Sequence, residues 1–363
     1  MSPSVESRTG ARRPDPPAPP VGSRTWTIGQ TPWREHEEHP GGRTSVVLDN
    51  DYSGDPDGLY QLAHHLLSPS VRIAAVVGSR LPRTGRHASS PDTARDGELA
   101  ALDLFARMGL ASTELIHRGS PDPLPAPGSP APSAATAAII GSAMLASPEQ
   151  PLLYLAGGGL TDLATALLVE PRIAERILLV WIGGGEHPGQ AAAPPGASGV
   201  ECNLGFDVPA AQVVFDTQPL RIWQVPRDAY RQCLVSETEL RRRVGRSGRL
   251  GGFLYGMVRS AYHRAPDVRE PLPESYVLGD SPLVLLSALR SAFEPDPASS
   301  SWHARPTPRI APDGSYLDAP GAREMRVYSR LDTRLMLDDL YLKLEEFSQW
   351  QDGPAPSEGR STS

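Results

Sequence analysis

The sequence predicts an α/β protein with a mostly parallel, doubly wound sheet, helices on both faces and a small β-hairpin near the C-terminus. Three observations predict it. Short apolar runs alternate with segments of helical period along most of the chain, as strand–helix–strand units do. Glycine triplets close two of those runs, Gly157 to Gly159 and Gly183 to Gly185. An acid cluster, DNDYSGDPDG, follows the first run, and the carboxyl ends of strands are where open α/β sheets bind ligands.

The elements follow in order. Ser45 to Leu48 is a buried strand, and Leu59, Leu62, Ala63, Leu66 and Leu67 recur at helical spacing after it. Val71 to Val77 is a second strand. Glu98 to Met108 is a helix with Leu99, Leu102 and Phe105 on one face and Gly109 at its C-cap. A helix over Ala134 to Ala146 precedes a strand at Leu152 to Ala156, and another helix opens at Thr161. Ile177 to Ile182 and Leu220 to Val225 are strands. Ser236 to Leu289 reads as largely helical, and Thr307 to Asp318 as a hairpin around Pro312-Asp313-Gly314. A strand at Glu324 to Leu331 and a helix at Arg334 to Phe347 close the pattern. Pro/Ala/Ser/Gly-rich stretches at 81–94, 121–136 and 186–199 read as loops. Residues 1–43, rich in Pro and Arg, are expected to be a disordered lead-in and 351–363 a disordered tail, leaving one domain at 44–350.

Composition narrows the function. The 363 residues carry 35 Lys plus Arg against 42 Asp plus Glu, a net charge of −7, with no basic stripe interleaved with aromatics. Nucleic acid and anionic membranes are therefore not expected partners. Two cysteines, Cys202 and Cys233, make no disulfide framework, and no apolar run is long enough to span a membrane, so a reducing cytoplasm is the expectation.

The acid cluster places Asp49, Asp51, Asp55 and Asp57 within nine residues. Like charges so close repel unless a cation or catalytic work holds them there. A helix-loop-helix calcium loop fits at several positions but has Tyr60 where its bidentate Glu should stand. A haloacid-dehalogenase-like magnesium phosphatase also begins with Asp-x-Asp after a strand, yet Asp280 has no acid four or five residues on. The bland alternative is a polar turn whose Asp residues cap a helix. A cation site that also holds a sugar or other polyol satisfies the cluster best.

Four segments in order strengthen that reading. VVLDNDYSGDPDGLYQLAHHLLSP, Pro151 to Gly185 with its Leu-Thr-Asp helix start, Glu201-Cys202-Asn203 followed by Asp207, and Gly279-Asp280 together resemble the inosine-uridine nucleoside hydrolases, over about residues 44 to 348. The resemblance implies that family's fold and a calcium-dependent N-glycosidase acting on a small ribosyl substrate, through attack of a metal-bound water and an oxocarbenium-like state. It makes Asp51 the general base and a calcium ligand, Asp57, Asp280 and the Thr161 carbonyl further ligands, and Asp55, Glu201 and Asn203 the sugar contacts. It also implies a role in purine or pyrimidine nucleoside metabolism and a homodimer or homotetramer. Without the resemblance, Thr161 and Asp280 read equally well as helix-cap residues, and Glu201 and Asn203 as loop polars.

Departures from the family pattern leave a rival open, a ligand-binding relative that no longer hydrolyses. The family's late His, its leaving-group acid, is Gly279; its Asn after the second strand is Ser79; Pro195 falls where an Asn should precede Glu201. Tyr230, Tyr262 and His263 are substitute acids to consider, and Trp223 could stack on a base, while His64 and His65 are expected to serve packing or solvent. Glu201 and Asn203, one residue apart, are expected on an extended segment with both side chains on one face and Cys202 on the other.

Overall fold

The computed structural model describes residues 20, 23–34, 43–83, 90–197, 199–264, 274–291, 293 and 299–353. Its centre is an eight-stranded sheet. The strands are β1 (Thr44–Asn50), β2 (Val71–Gly78), β3 (Ile116–Arg118), β4 (Leu152–Ala156), β5 (Ile177–Ile182), β6 (Arg221–Val225), then, after two short strands outside the sheet, β9 (Ser301–Pro306) and, further on, β12 (Glu324–Arg330). They lie in the order β3-β2-β1-β4-β5-β6-β12-β9. All neighbours run parallel except β9, which pairs antiparallel with β12 at the edge. The chain steps outward from β1 to β3, then returns to the other side of β1 with β4. That reversal opens a crevice at the carboxyl ends of β1 and β4, the topological switch point of a doubly wound sheet.

Both faces of the sheet are covered, because successive strand side chains alternate between them. On one face Val46, Leu48, Leu153, Leu155 and Val180 meet α1 (Asp57–Leu66), α2 (Thr93–Met108) and the later helices α9 (Gly248–Arg264), α10 (Pro282–Ser287) and α11 (Thr333–Asp352). On the other, Val47, Val77, Tyr154, Ala156, Leu179 and Trp181 meet α3 (Ala134–Met144), α4 (Thr161–Val169) and α6 (Val208–Asp216), the last preceded by the single turn α5 (Cys202–Phe206). Helix ends follow local chemistry: Asp92 caps α2, Gly109 ends it at φ 74°, and Ser133 with Thr136 forms a capping box on α3.

Between β6 and β12 the chain is less regular than its sequence suggested. It forms α7 (Arg227–Tyr230), β7 (Leu234–Ser236), α8 (Glu237–Glu239) continued by a π-turn, α9 and β8 (Ser275–Val277), with β7 and β8 paired antiparallel. The expected hairpin is present as β10 (Arg309–Ile310) and β11 (Tyr316–Leu317). Strands β3, β7, β8 and β9, and helices α5, α6 and α7, were not anticipated. All but β9 and α6 are too short for a period to show, and β9 is largely exposed; α6 does bury Ala210, Ala211, Val214 and Phe215 at helical spacing, a signal that was passed over.

The expected featureless lead-in over 1–43 needs correction at 23–34. Trp26 is buried, its indole N–H donates to the Met108 carbonyl at 2.6 Å, and it bridges to Leu110. Trp26, Trp33, Phe347 and Trp350 pack edge-on or tilted against one another, binding this segment to α11. Three tryptophans supply enough apolar area to offset the ordering of a Pro-rich stretch. Helix α11 likewise runs to Asp352 with Gln351 buried, beyond the expected domain end at 350. The expected tail from 354 onward, and residues 1–19, lie outside the described residues.

Candidate active site

A cleft of about 120 Å³ opens at the switch point, room for a few water molecules' worth of ligand. Asp51, Asp55, Asp57, Glu201, Asn203 and Asp280 line it, with Leu81, Gly157, Ile182, Cys202, Phe206, Tyr230 and Gly279. Six of the seven expected site residues thus meet in one place, from segments as far apart in the chain as Asp51 and Asp280. Asp51 leaves the end of β1, Asp57 opens α1, Asp280 precedes α10, and Glu201 caps α5.

The seventh, Thr161, is buried behind the wall. Its hydroxyl donates to Asp207 Oδ2 at 2.7 Å, which also receives the Leu124 N–H at 2.8 Å. Thr161 therefore serves the packing of α4 against α6, and its side chain does not line the cleft. Asp49 does not line the cleft either: it points to the same face of β1 as Val47 and accepts the Tyr154 hydroxyl, whereas Asp51 lies past the end of the strand.

Electrostatics single out the acids in the cleft. Burial, followed by the neighbouring charges of Asp57, Asp55 and Asp49, pushes the Asp51 carboxyl well above its ordinary range. Burial and Asp280 do the same to Asp57, and burial with Asp51 to Asp280. In each case the dominant effects are desolvation and other carboxylates, with no cation among them. Such surroundings disfavour the ionised form of each carboxyl, and a nearby positive charge would favour it. Among the described residues no three His, Cys, Asp or Glu side chains are so placed that they could hold a metal ion by themselves. Oxygen-only donors of high charge density nonetheless suit a hard cation such as calcium.

Asn50, which sequence reasoning passed over, ties two of the acids together. Its side-chain N–H₂ donates to Asp280 Oδ2 at 3.0 Å and Gln61 Oε1 at 3.3 Å, and its oxygen accepts the Asp51 N–H at 2.8 Å. Glycine is required beside it, since a Cβ at Gly157 would collide with the Asn50 amide. No signal in the sequence marks Asn50, because its main partner stands 230 positions later.

Glu201 and Asn203 correct a second expectation. They lie at the start of α5 and not on an extended segment, so Cys202 lines the cleft with them. Glu201 Oε2 accepts the N–H of Gly184 at 2.7 Å and of Leu204 at 3.1 Å, and Oε1 accepts the Tyr230 hydroxyl at 2.9 Å. Burial raises its pKa while these donors lower it again. Asn203 donates to the Gly157 and Ile182 carbonyls at 3.0 and 2.8 Å, leaving its own oxygen free of those bonds.

Of the substitute acids, only Tyr230 reaches the cleft. Tyr262 packs edge-on to Tyr276, and Trp223 lies beneath the Arg326 guanidinium beside Tyr328; neither these nor His263 lines the cleft. His64 and His65 are fully buried packing residues.

A family model described as inosine-uridine preferring nucleoside hydrolase matches residues 61–312. The chain belongs to that family. The match starts after the acid cluster, so the placement of Asp51, Asp55 and Asp57 rests on the cleft itself. A curated relative, the inosine-uridine preferring nucleoside hydrolase of Crithidia fasciculata, is 37% identical over 86 residues, which is 23% of this chain and 25% of that protein. Among solved structures, the purine-preferring ribonucleoside hydrolase from Gardnerella vaginalis superimposes with a TM-score of 0.66 at 17% identity, covering 85% of this chain and all of that one. A plant nucleoside hydrolase gives 0.62 at 18% identity over 84% of this chain and 99% of its own. These likenesses establish the nucleoside-hydrolase fold, with its mostly parallel sheet.

Proposed function

We propose that the chain is a calcium-dependent N-glycosidase that hydrolyses the bond between a ribose and its leaving group. The observation that carries this reading is the meeting of Asp51, Asp55, Asp57 and Asp280 with Glu201 and Asn203 in one cleft at the switch point. Asp51, Asp57 and Asp280 would hold the ion, together with backbone oxygen as the Thr161 assignment supposes. A calcium ion there would supply positive charge that favours the ionised form of these carboxylates and, as a hard Lewis acid, would make a bound water more acidic.

The chain's own residues do the rest. Asp51, ionised, takes a proton from the attacking water at its carboxylate. Glu201 and Asn203, held by the backbone of the glycine turns, accept hydrogen bonds from sugar hydroxyls, and Asp55 at the open rim reaches the same diol. As the glycosidic bond stretches, the sugar becomes cationic, and the surrounding carboxylates favour that state over the neutral ground state. Among the described residues no histidine lines the cleft, and position 279 is glycine. Activated aryl ribosides should therefore be cleaved much faster than inosine or uridine.

A nucleoside panel with free ribose as the readout, run alongside elemental analysis, tests the proposal. Ribose release with about one calcium per chain supports it. Calcium and ribosyl binding without turnover would favour the rival, a ligand-binding relative, for which the missing histidine speaks. A cytoplasmic homodimer or homotetramer without nucleic-acid or membrane partners completes the proposal; the acidic net charge supports the last part. Among the described residues no helix is long and apolar enough to cross a membrane.

A further inference from the structure

We infer that Tyr230 is the positioning residue for Glu201, and that its phenol, committed to that bond, does not serve as the leaving-group acid. The inference rests on the reading that Glu201 holds the sugar. Tyr230 ends α7, the turn that follows the carboxyl end of β6, and its hydroxyl lies 2.9 Å from Glu201 Oε1. The two backbone donors, Gly184 and Leu204, both address Oε2. Tyr230 is thus the side chain that fixes Oε1, the oxygen left with a lone pair for a sugar hydroxyl.

A phenol has one hydrogen to donate. That hydrogen is spent on a carboxylate, a charge-assisted bond that is stronger than a neutral one. Burial and the Glu201 charge both push the Tyr230 pKa up from 10, which keeps the proton on the phenol. The ring borders position 279: a Cβ there would be in ordinary van der Waals contact with Tyr230 Cδ2 at 3.5 Å and tight against Asp57 Oδ2 at 3.2 Å, so Tyr230 and Gly279 line the same stretch of the cleft.

The experiment is Tyr230→Phe, measured on inosine, uridine and an activated aryl riboside, with free-ribose binding followed by calorimetry. A bond to a charged acceptor is lost, so kcat/KM should fall about tenfold to a hundredfold on all three substrates, mainly through KM. Ribose binding should weaken by a similar factor. In a Glu201→Ala background the same change should add little, because partners in one interaction are not additive. A loss confined to inosine and uridine would overturn the inference by making Tyr230 a leaving-group acid. An undiminished loss in the Glu201→Ala background would also overturn it. A wild-type chain that releases no ribose from any substrate refutes the hydrolase reading separately; equal ribose binding by wild type and Tyr230→Phe then still refutes this one. Should the Phe variant not fold, Tyr230→Gln, a donor without a ring, takes its place and should keep ribose affinity closer to wild type than Tyr230→Leu.

Discussion

In the proposed mechanism Asp51 is the general base, and its surroundings fix where its carboxyl stands. The backbone N–H of Asp51 is fixed by the Asn50 side chain, which also holds Asp280, so base and late acid share one brace. Replacing Asp51 with Asn preserves shape and one oxygen but removes the proton acceptor. Ribose release should then fall by roughly 10² or more with folding intact. Near-normal turnover of a well-folded Asp51→Asn chain would remove it from the mechanism. At this scale the sequence was informative wherever residue types cluster: four acids in one turn announce themselves by their mutual repulsion. It was silent where function depends on contacts across the fold. Asn50 looked like a spacer between two acids, and Tyr230 was one tyrosine of several, until α7 brought it to Glu201.

Helices α1 and α11 show how an element can carry a cost hidden from its pattern. His64 and His65 are in α1 and fully buried. His64 Nε2 meets Asp339 Oδ2 at 2.7 Å, whose charge is balanced by Lys343 at 2.5 Å, and His65 Nε2 meets Ser287 Oγ at 2.9 Å. Desolvation lowers the His64 pKa to about 4, against the pull of Asp339, and that of His65 to about 3. Both are neutral in the folded chain over a range where the unfolded chain, with pKa near 6.5, takes up protons. Stability contributed this way is intact above the unfolded value and is lost as pH falls from about 6.5 towards 4. Urea midpoints at pH 7 and pH 5 should show a larger drop for wild type than for His65→Gln; parallel drops would refute the assignment. The helices themselves were legible, because apolar residues on one face repeat at 3.6. Helix α5 was not, since five residues containing Gly205 have no period to read, and the extended reading of Glu201 and Asn203 failed there.

Across the whole molecule, two features join distant parts of the chain into one folding unit. The first is the tryptophan cluster that fastens residues 23–34 to α2 and α11. Trp26→Ala removes a buried ring and the Met108 bond together, so it should cost about 3–5 kcal/mol, read as a shift in urea midpoint. A change under about 1 kcal/mol would mean the segment only rests on the surface.

The second is the cleft itself, where β1, α1, α5 and the turn before α10 each deliver carboxylates to one place. Carboxyls with raised pKa hold more protons folded than unfolded above the ordinary Asp value of 3.8. Their contribution to the stability of the ion-free chain therefore falls as pH rises from that value towards the raised ones. A divalent ion reverses the balance by favouring the ionised, folded form, and it binds the folded chain but not the unfolded one. Calcium at 100 times its Kd should add about 2.7 kcal/mol. Chelation should accordingly lower the melting temperature and calcium restore it, by a larger step at pH 8 than at pH 5, where protons compete for the same oxygens. Taking the difference with and without calcium cancels the opposing histidine effect, since His64 and His65 bond to Asp339 and Ser287 and not to the cleft acids. A melting temperature indifferent to chelation at both pH values would mean that these acids share protons in place of an ion, and the calcium assignment would fall with it.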